Sequence, residues 1–320
     1  MRKLSAIVKG KTRIGISGHV RPDGDCVGSC LALYHYLKMI VPDAYIDINL
    51  EAAPSYLNHM KGISEIKSDF KTRGRYEVYF VLDVSTLDRI GGAKEYFDNA
   101  EYTVCIDHHV SNDGDLAMEN TIVPDASSTA EVLYDLFVQD KPKAIDENIA
   151  VCLYTGIIHD SGVLQYSCTS PHTLEIVSKL IDFGFDFSKI ISESFYEKTY
   201  IQNMLLGRAL IESIVFMEGK GIVSVIDRKM LEFYGADSSD LEGIVNQLKN
   251  TKGVHFSILM HETDTLTYKV SMRSDETLDV AAVCKTLGGG GHARAAGCTL
   301  SGTQHDVINM ISAEVIKQYS

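Results

Sequence analysis

Three short clusters carry the residue types that could do chemistry: His19-Val20-Arg21-Pro22-Asp23-Gly24-Asp25, the lone Asp83, and Asp107-His108-His109. Each stands where a hydrophobic run ends. Carboxylates suit hard cations and imidazoles suit the later first-row metals, so together these side chains have the donors for two divalent ions at one place. Paired cations polarise a phosphoryl group and activate water, so the chemistry to expect is attack at phosphorus. Pro22 and Gly24 flank Asp23, which suits a tight loop aiming alternate carboxylates. A further aspartate, Asp160, ends a long apolar helical pattern and is a candidate late ligand. One aspartate after a strand commonly closes a turn or caps a helix. Three clusters at three strand ends argue instead for convergence.

The elements that must position these residues follow from the apolar pattern. Residues 12–17, 45–50, 78–82 and 102–106 read as strands, and residues 27–40 as a helix between the first two. Strand and helix in alternation predict a mostly parallel sheet covered on both faces. Ligands in such sheets gather beyond the carboxyl ends of the strands, where all three clusters fall. Helices follow at 131–138, with Ser128 and Glu131 at capping-box spacing, at 146–159 and at 170–183. Residues 187–211 read as a helical connector. Beyond it, residues 214–216 with 222–226, and 254–260 with 266–272, read as two hairpins. Helices at 239–248, 280–287 and 306–319 and a strand at 298–300 complete the pattern. The fold class expected is α/β, with a smaller α+β C-terminal domain on an antiparallel sheet. The domain boundaries expected are 1–186, 187–211 and 212–320.

A second motif lies in that C-terminal region: Gly288-Gly289-Gly290-Gly291-His292-Ala293-Arg294-Ala295-Ala296-Gly297. A glycine run lets backbone N–H groups approach an anion closely. His292 and Arg294 add donors there. Arg273, in Ser271-Met272-Arg273-Ser274, could present a guanidinium fork to a phosphate.

The first clusters resemble the DHH phosphoesterase superfamily in residue types, order and spacing, with Asp107-His108-His109 as the eponymous motif. The glycine-histidine run is similar to the signature of the DHH-associated C-terminal domain, and the resemblance spans nearly the whole chain. It implies that His19, Asp23 and Asp83 hold one metal. Asp25, Asp83, His108 and Asp160 hold the other, with Asp83 as the bridge. It implies that Asp107 orients an imidazole and that His109 faces the substrate phosphate, so that Asp83, Asp107, His108 and His109 form the catalytic group. Ser271, Arg273, Gly289, Gly290, Gly291, His292 and Arg294 would then join His109 in gripping substrate. Manganese is the ion expected, with magnesium or cobalt as alternatives. Among branches, chain length, the Ser-x-Arg-Ser stretch and the glycine-histidine run favour the type that degrades short oligoribonucleotides and dephosphorylates pAp. A cyclic or linear dinucleotide phosphodiesterase is the alternative reading. An inorganic pyrophosphatase and a non-catalytic nucleotide-binding module follow at a distance.

The whole chain is consistent with that choice. At 320 residues with a formal charge of −13, it lacks the basic balance of a protein that tracks long duplex nucleic acid. Small phosphorylated nucleotides or short RNA are the expected partners, with a homodimer as the expected assembly. The sequence has no apolar run long enough for a membrane span and no signal-peptide pattern at its start. Its seven cysteines are scattered without a Cys-x-x-Cys pair. Reduced thiols and a cytoplasmic location are therefore expected.

Overall fold

The computed structural model describes residues 2–71 and 74–319, and the chain divides into two compact units, Met1–Glu197 and Lys198–Ser320. The division falls inside the stretch read as a connector.

In the first unit the order is α1 (Leu4–Ile7), β1 (Arg13–Ser17), α2 (Gly24–Ile40), β2 (Tyr45–Asn49), β3 (Ile66–Lys67), β4 (Val78–Leu82), α3 (Lys94–Asp98), β5 (Thr103–Asp107) and β6 (Glu119–Ile122). Then come α4 (Thr129–Asp140), α5 (Glu147–Asp160), α6 (Pro171–Ile181) and α7 (Phe187–Ile191). The six strands form one sheet in the order β3-β2-β1-β4-β5-β6, and every pairing among the described residues is parallel. Every residue of β4 and β5 is buried, which is why both read as unbroken apolar runs. The chain leaves β1 toward β2 on one side and returns to β4 on the other. This reversal makes the carboxyl ends of β1 and β4 the switch point of the sheet. Two strands escaped the sequence pattern. β3 has only two residues, and β6, reading Glu-Asn-Thr-Ile, is half-buried at the sheet edge and shows no apolar run.

Helices α2 and α5 pack so closely that glycine is needed between them. A Cβ on Gly28 would lie 2.5 Å from the Cys152 carbonyl oxygen. A Cβ on Gly156 would lie 2.6 Å from both the Ala130 Cβ and the Asp25 Oδ1. The caps are conventional: Ser128, Asp146 and Ser170 each accept a backbone N–H at the start of α4, α5 and α6. The box expected at Ser128 is only half formed. Glu131 turns to the Ser127 hydroxyl at 2.5 Å and the Thr173 hydroxyl at 2.7 Å, tying α4 to α6.

The second unit contains α8 (Tyr200–Ile211), β7 (Ile214–Phe216), β8 (Gly221–Ile226), α9 (Arg228–Tyr234), α10 (Ile244–Lys249), β9 (Phe256–Asp264) and β10 (Thr267–Ser274). It closes with α11 (Val280–Thr286), β11 (Gly290–His292), β12 (Ala295–Ser301) and α12 (Gln304–Tyr319). Its sheet runs β11-β12-β10-β9-β8-β7. Both expected hairpins are present, but the sheet is mixed rather than antiparallel, because β8 pairs parallel with β9. A parallel pair needs a long crossover, and α9 with α10 supplies it. The single helix expected at 239–248 is broken at Gly243, whose φ of +84° ends one short turn before α10 begins.

Candidate metal centre

β1 ends at Ser17, and the next residues swing across the switch point. Asp23 caps α2, its Oδ1 accepting the N–H groups of Asp25 and Cys26, each at 3.1 Å. His19 is buried, with Nδ1 directed at the Val20 carbonyl at 3.0 Å. Its Nε2 lies 3.4 Å from Asp83 Oδ2 and 3.6 Å from Asp23 Oδ1. Asp83 follows β4 with φ of +57°, a left-handed conformation that costs most side chains roughly 1–2 kcal/mol and that Asp tolerates better than most. That conformation places its carboxylate among three imidazoles. Oδ1 is 3.7 Å from His108 Nε2 and 3.6 Å from His109 Nδ1.

Asp107 ends β5 fully buried. Its Oδ1 accepts from His109 Nδ1 at 2.7 Å and its Oδ2 from Asn112 Nδ2 at 2.8 Å. Asn112 also donates to the Val84 carbonyl at 2.9 Å, so this side chain links the ends of β4 and β5. His108 directs Nδ1 to the Ala126 carbonyl at 3.2 Å and Nε2 to Asp160 Oδ2 at 2.9 Å. Asp160 is the last residue of α5. Asp25 lies buried beneath the N-terminus of α4, accepting Thr129 N–H at 2.7 Å and Ala130 N–H at 3.0 Å. The helix dipole favours a negative charge there.

Three sets of potential ligand atoms each lie within 4.8 Å of one another: His19, Cys26 and Asp83; Asp83, His108 and His109; and Asp25, His108 and Asp160. Asp83 and His108 each belong to two sets, so the three form one continuous cluster. Asp23 joins none of them, although it touches His19. Cys26, which the sequence alone marks only as a reduced thiol, takes that place. The signal was present, because Cys26 stands in the first turn of the helix that Asp23 caps.

The electrostatics follow from crowding. Burial and the nearby charges of Asp83 and Asp160 push the Asp25 carboxyl far above the usual carboxylate range. Burial likewise raises Asp160. Burial opposes charge on His108, yet the Asp160 hydrogen bond with the Asp25 and Asp83 charges pushes it up to about 10. Against the desolvation imposed by its crowded surroundings, Asp23 is held down to about 2 by its contact with His19. The bond to Asp107 raises His109. Five carboxylates meet here with imidazoles as their only ion-pair partners, and no Lys or Arg among the described residues joins them. A surplus of anionic donors, with Asp25, Asp83 and Asp107 buried, is the chemistry of a divalent-cation site, and the cluster fits one.

The remaining expected residues lie in the second unit. Gly290–His292 is an edge strand rather than an irregular loop, pairing Gly290 with Gly297 and His292 with Ala295. The glycines are needed because β12 lies against them. A Cβ on Gly289 would strike the Gly297 carbonyl, and one on Gly291, at φ +145°, would lie 2.5 Å from the Ala295 carbonyl oxygen. Gly290, like Gly288 before the strand, has open space above it. His292 is exposed. Arg294 pairs with Glu276 at 3.1 Å on the surface, a contact weak enough to exchange. Arg273 is half-buried, with Nη1 on the Met272 carbonyl at 2.9 Å, and Ser271 stands two residues before it on the same face of β10.

Comparison with known proteins agrees with this arrangement. Residues 13–157 match the family model described as DHH family, N-terminal domain, and residues 218–319 match the DHHA1 domain. A bifunctional oligoribonuclease and PAP phosphatase NrnA of Thermus thermophilus is 27% identical over 310 residues, covering 96% of this chain and 90% of that protein. The Bacillus subtilis protein of the same description is 26% identical over 288 residues, covering 88% and 87%. A crystal structure of an exopolyphosphatase-related protein from Bacteroides fragilis superposes with a TM-score of 0.87 at 26% identity, covering 98% of this chain and 94% of that one. Among the described residues no helix is long and apolar enough to cross a membrane.

Proposed function

We propose that this chain, with its DHH-family N-terminal domain and DHHA1 domain, is a metal-dependent phosphoesterase that degrades short oligoribonucleotides to mononucleotides and converts pAp to AMP. One observation carries the reading: Asp83 is shared between two adjoining sets of ligand atoms. A carboxylate in that position is what two neighbouring cations need as a bridge. His19 and Asp83, with Asp23 or Cys26, would hold one ion. Asp25, Asp83, His108 and Asp160 would hold the other. Asp25 can ligate while accepting two N–H groups, because a carboxylate offers about four lone-pair sites. Mixed imidazole and carboxylate donors favour manganese. When bound, such ions supply Lewis acidity toward a phosphoryl group and activation of water.

The chain's own residues do the rest. Asp107 holds Nδ1 of His109, so the other ring nitrogen can present a proton to a phosphoryl oxygen. Asn112 keeps Asp107 in place. Residues 1–186 act as the catalytic domain and 212–320 as the substrate-gripping domain, with 187–211 as connector. In that role Ser271, Arg273, Gly289–Gly291, His292 and Arg294 contact the nucleotide. Free cysteines suit a cytoplasmic enzyme, and a homodimer is the assembly proposed with it.

The test is a substrate panel with purified, manganese-loaded protein: pAp, di- to pentaribonucleotides, a cyclic dinucleotide, pApA and pyrophosphate. Release of AMP from pAp and of mononucleotides from the oligomers is expected. Hydrolysis of pyrophosphate alone, or of the cyclic dinucleotide alone, overturns the assignment.

A further inference from the structure

Along β10 side chains alternate, Tyr268, Val270 and Met272 entering the core while Lys269, Ser271 and Arg273 face the other way. Residues directly opposite in neighbouring strands share a face. Arg273 is therefore in line with Ala295 and His292, Ser271 with Gly297 and Gly290, and Lys269 with Thr299. On this face β9 is covered, Leu259 packing with Ile244, Val245 and Leu248 of α10. Toward β11 the same face is open: Thr299 is exposed, and nothing lies within 4 Å of a Cβ placed on Gly290.

The Arg273 and Ser271 rows belong to the substrate-gripping set above. The Lys269 row does not. Lys269 is exposed and forms no ion pair among the described residues. The carboxylates of Asp264 and Glu276 are engaged elsewhere, with Arg228 at 3.6 Å and Arg294 at 3.1 Å. An uncompensated ammonium in a chain of net charge −13 is complementary to an anion. At about 3.3–3.4 Å per residue, Lys269, Ser271 and Arg273 form a ladder with rungs about 7 Å apart. That interval is of the order of the spacing between successive phosphates in a stretched single strand. The two glycines between the rows leave bare backbone on which the chain can lie.

We propose that Lys269, with Thr299 beside it, is an additional phosphate subsite on this sheet face that engages oligoribonucleotides longer than a dinucleotide and so sets the length preference. The inference rests on the phosphoesterase reading above. One lysine beyond the anchoring Arg273 favours short oligomers, since no further basic rung follows on β10: the next residue on this face is Thr267.

The test uses the full chain and two readouts, comparing Lys269→Ala with Lys285→Ala, an exposed lysine on α11. In turnover with manganese, the ratio of KM for a pentaribonucleotide to KM for a dinucleotide rises five- to tenfold in Lys269→Ala and stays at the wild-type value in Lys285→Ala. In equilibrium binding of a fluorescein-labelled pentaribonucleotide to the metal-free chain, the salt dependence, log K against log[salt], becomes shallower by about 0.7 in Lys269→Ala, the loss of one single-strand phosphate contact. An unchanged KM ratio together with an unchanged slope overturns the proposal, as does an equal effect in Lys285→Ala. If wild-type protein hydrolyses neither oligomer, the phosphoesterase reading falls, while the salt slope still decides whether Lys269 meets a phosphate.

Discussion

Asp83 is the residue on which the account turns. It sits in a left-handed backbone conformation, buried beside three imidazoles, with Asp25 and Asp160 close enough to raise their own carboxyls. Asp83→Asn keeps a side chain that tolerates the conformation and removes one of the crowded charges. Metal-free Asp83→Asn is therefore expected to melt no lower than metal-free wild type, while kcat falls by at least roughly 10³. Calorimetry and turnover measured on the same preparation check both halves. Asn112 is subtler. Asn112→Ala strips one hydrogen bond from buried Asp107 and one from the Val84 carbonyl, at about 1–3 kcal/mol for unpaired buried groups. In the proposed mechanism its effect on catalysis runs through His109, which Asp107 holds. The expected result is a 10–100-fold fall in kcat with KM within about twofold. A rise in KM with unchanged kcat contradicts a positioning role. The acidic and histidine clusters were legible from residue type alone. Asn112 was not, since an amide carries no signal until the fold brings it beside a carboxylate.

Elements decide whether the ligands meet. Asp23 and Asp25 begin α2, Asp160 ends α5, and the two helices approach through Gly28 and Gly156. Gly28→Ala and Gly156→Ala each force the helices apart, costing about 1–3 kcal/mol of stability by overpacking. Both should also weaken manganese binding, as urea unfolding and metal titration can show. Full metal affinity in a destabilised Gly156→Ala protein contradicts the idea that this contact sets the Asp25 to Asp160 geometry. His59 ties the turn after Ser55–Leu57 to α5 through Thr155 at 3.0 Å. Burial depresses its pKa below the ordinary value of about 6.5; Lys189 adds to this, while the Tyr56 carbonyl and Glu193 work against it. The unfolded chain thus takes up the proton first as pH falls. The stability contributed is present above about pH 6.5 and is lost progressively below it. His59→Gln is expected to show a shallower loss of stability between pH 7 and pH 5 than wild type in urea titrations. Helices and buried strands were legible because their apolar periodicity is strong. The edge strands β3 and β6, the glycine strand β11 and the parallel pairing of β8 with β9 were not. β3 has only two residues, β6 is mostly polar, β11 is largely glycine, and the parallel pairing of β8 with β9 joins strands that a long crossover separates in sequence.

At the scale of the whole molecule, the first unit contributes an anionic, buried cluster and the second an open sheet face bearing Lys269, Arg273 and His292. The central claim is narrower than that division of labour: two cations share the Asp83 carboxylate. The most direct test is a crystal of the manganese-loaded protein, with data collected on either side of the manganese absorption edge. The account predicts two anomalous peaks flanking Asp83, one beside His19 and the other beside His108 and Asp160. A single peak, or two peaks that leave Asp83 without a metal contact, contradicts it.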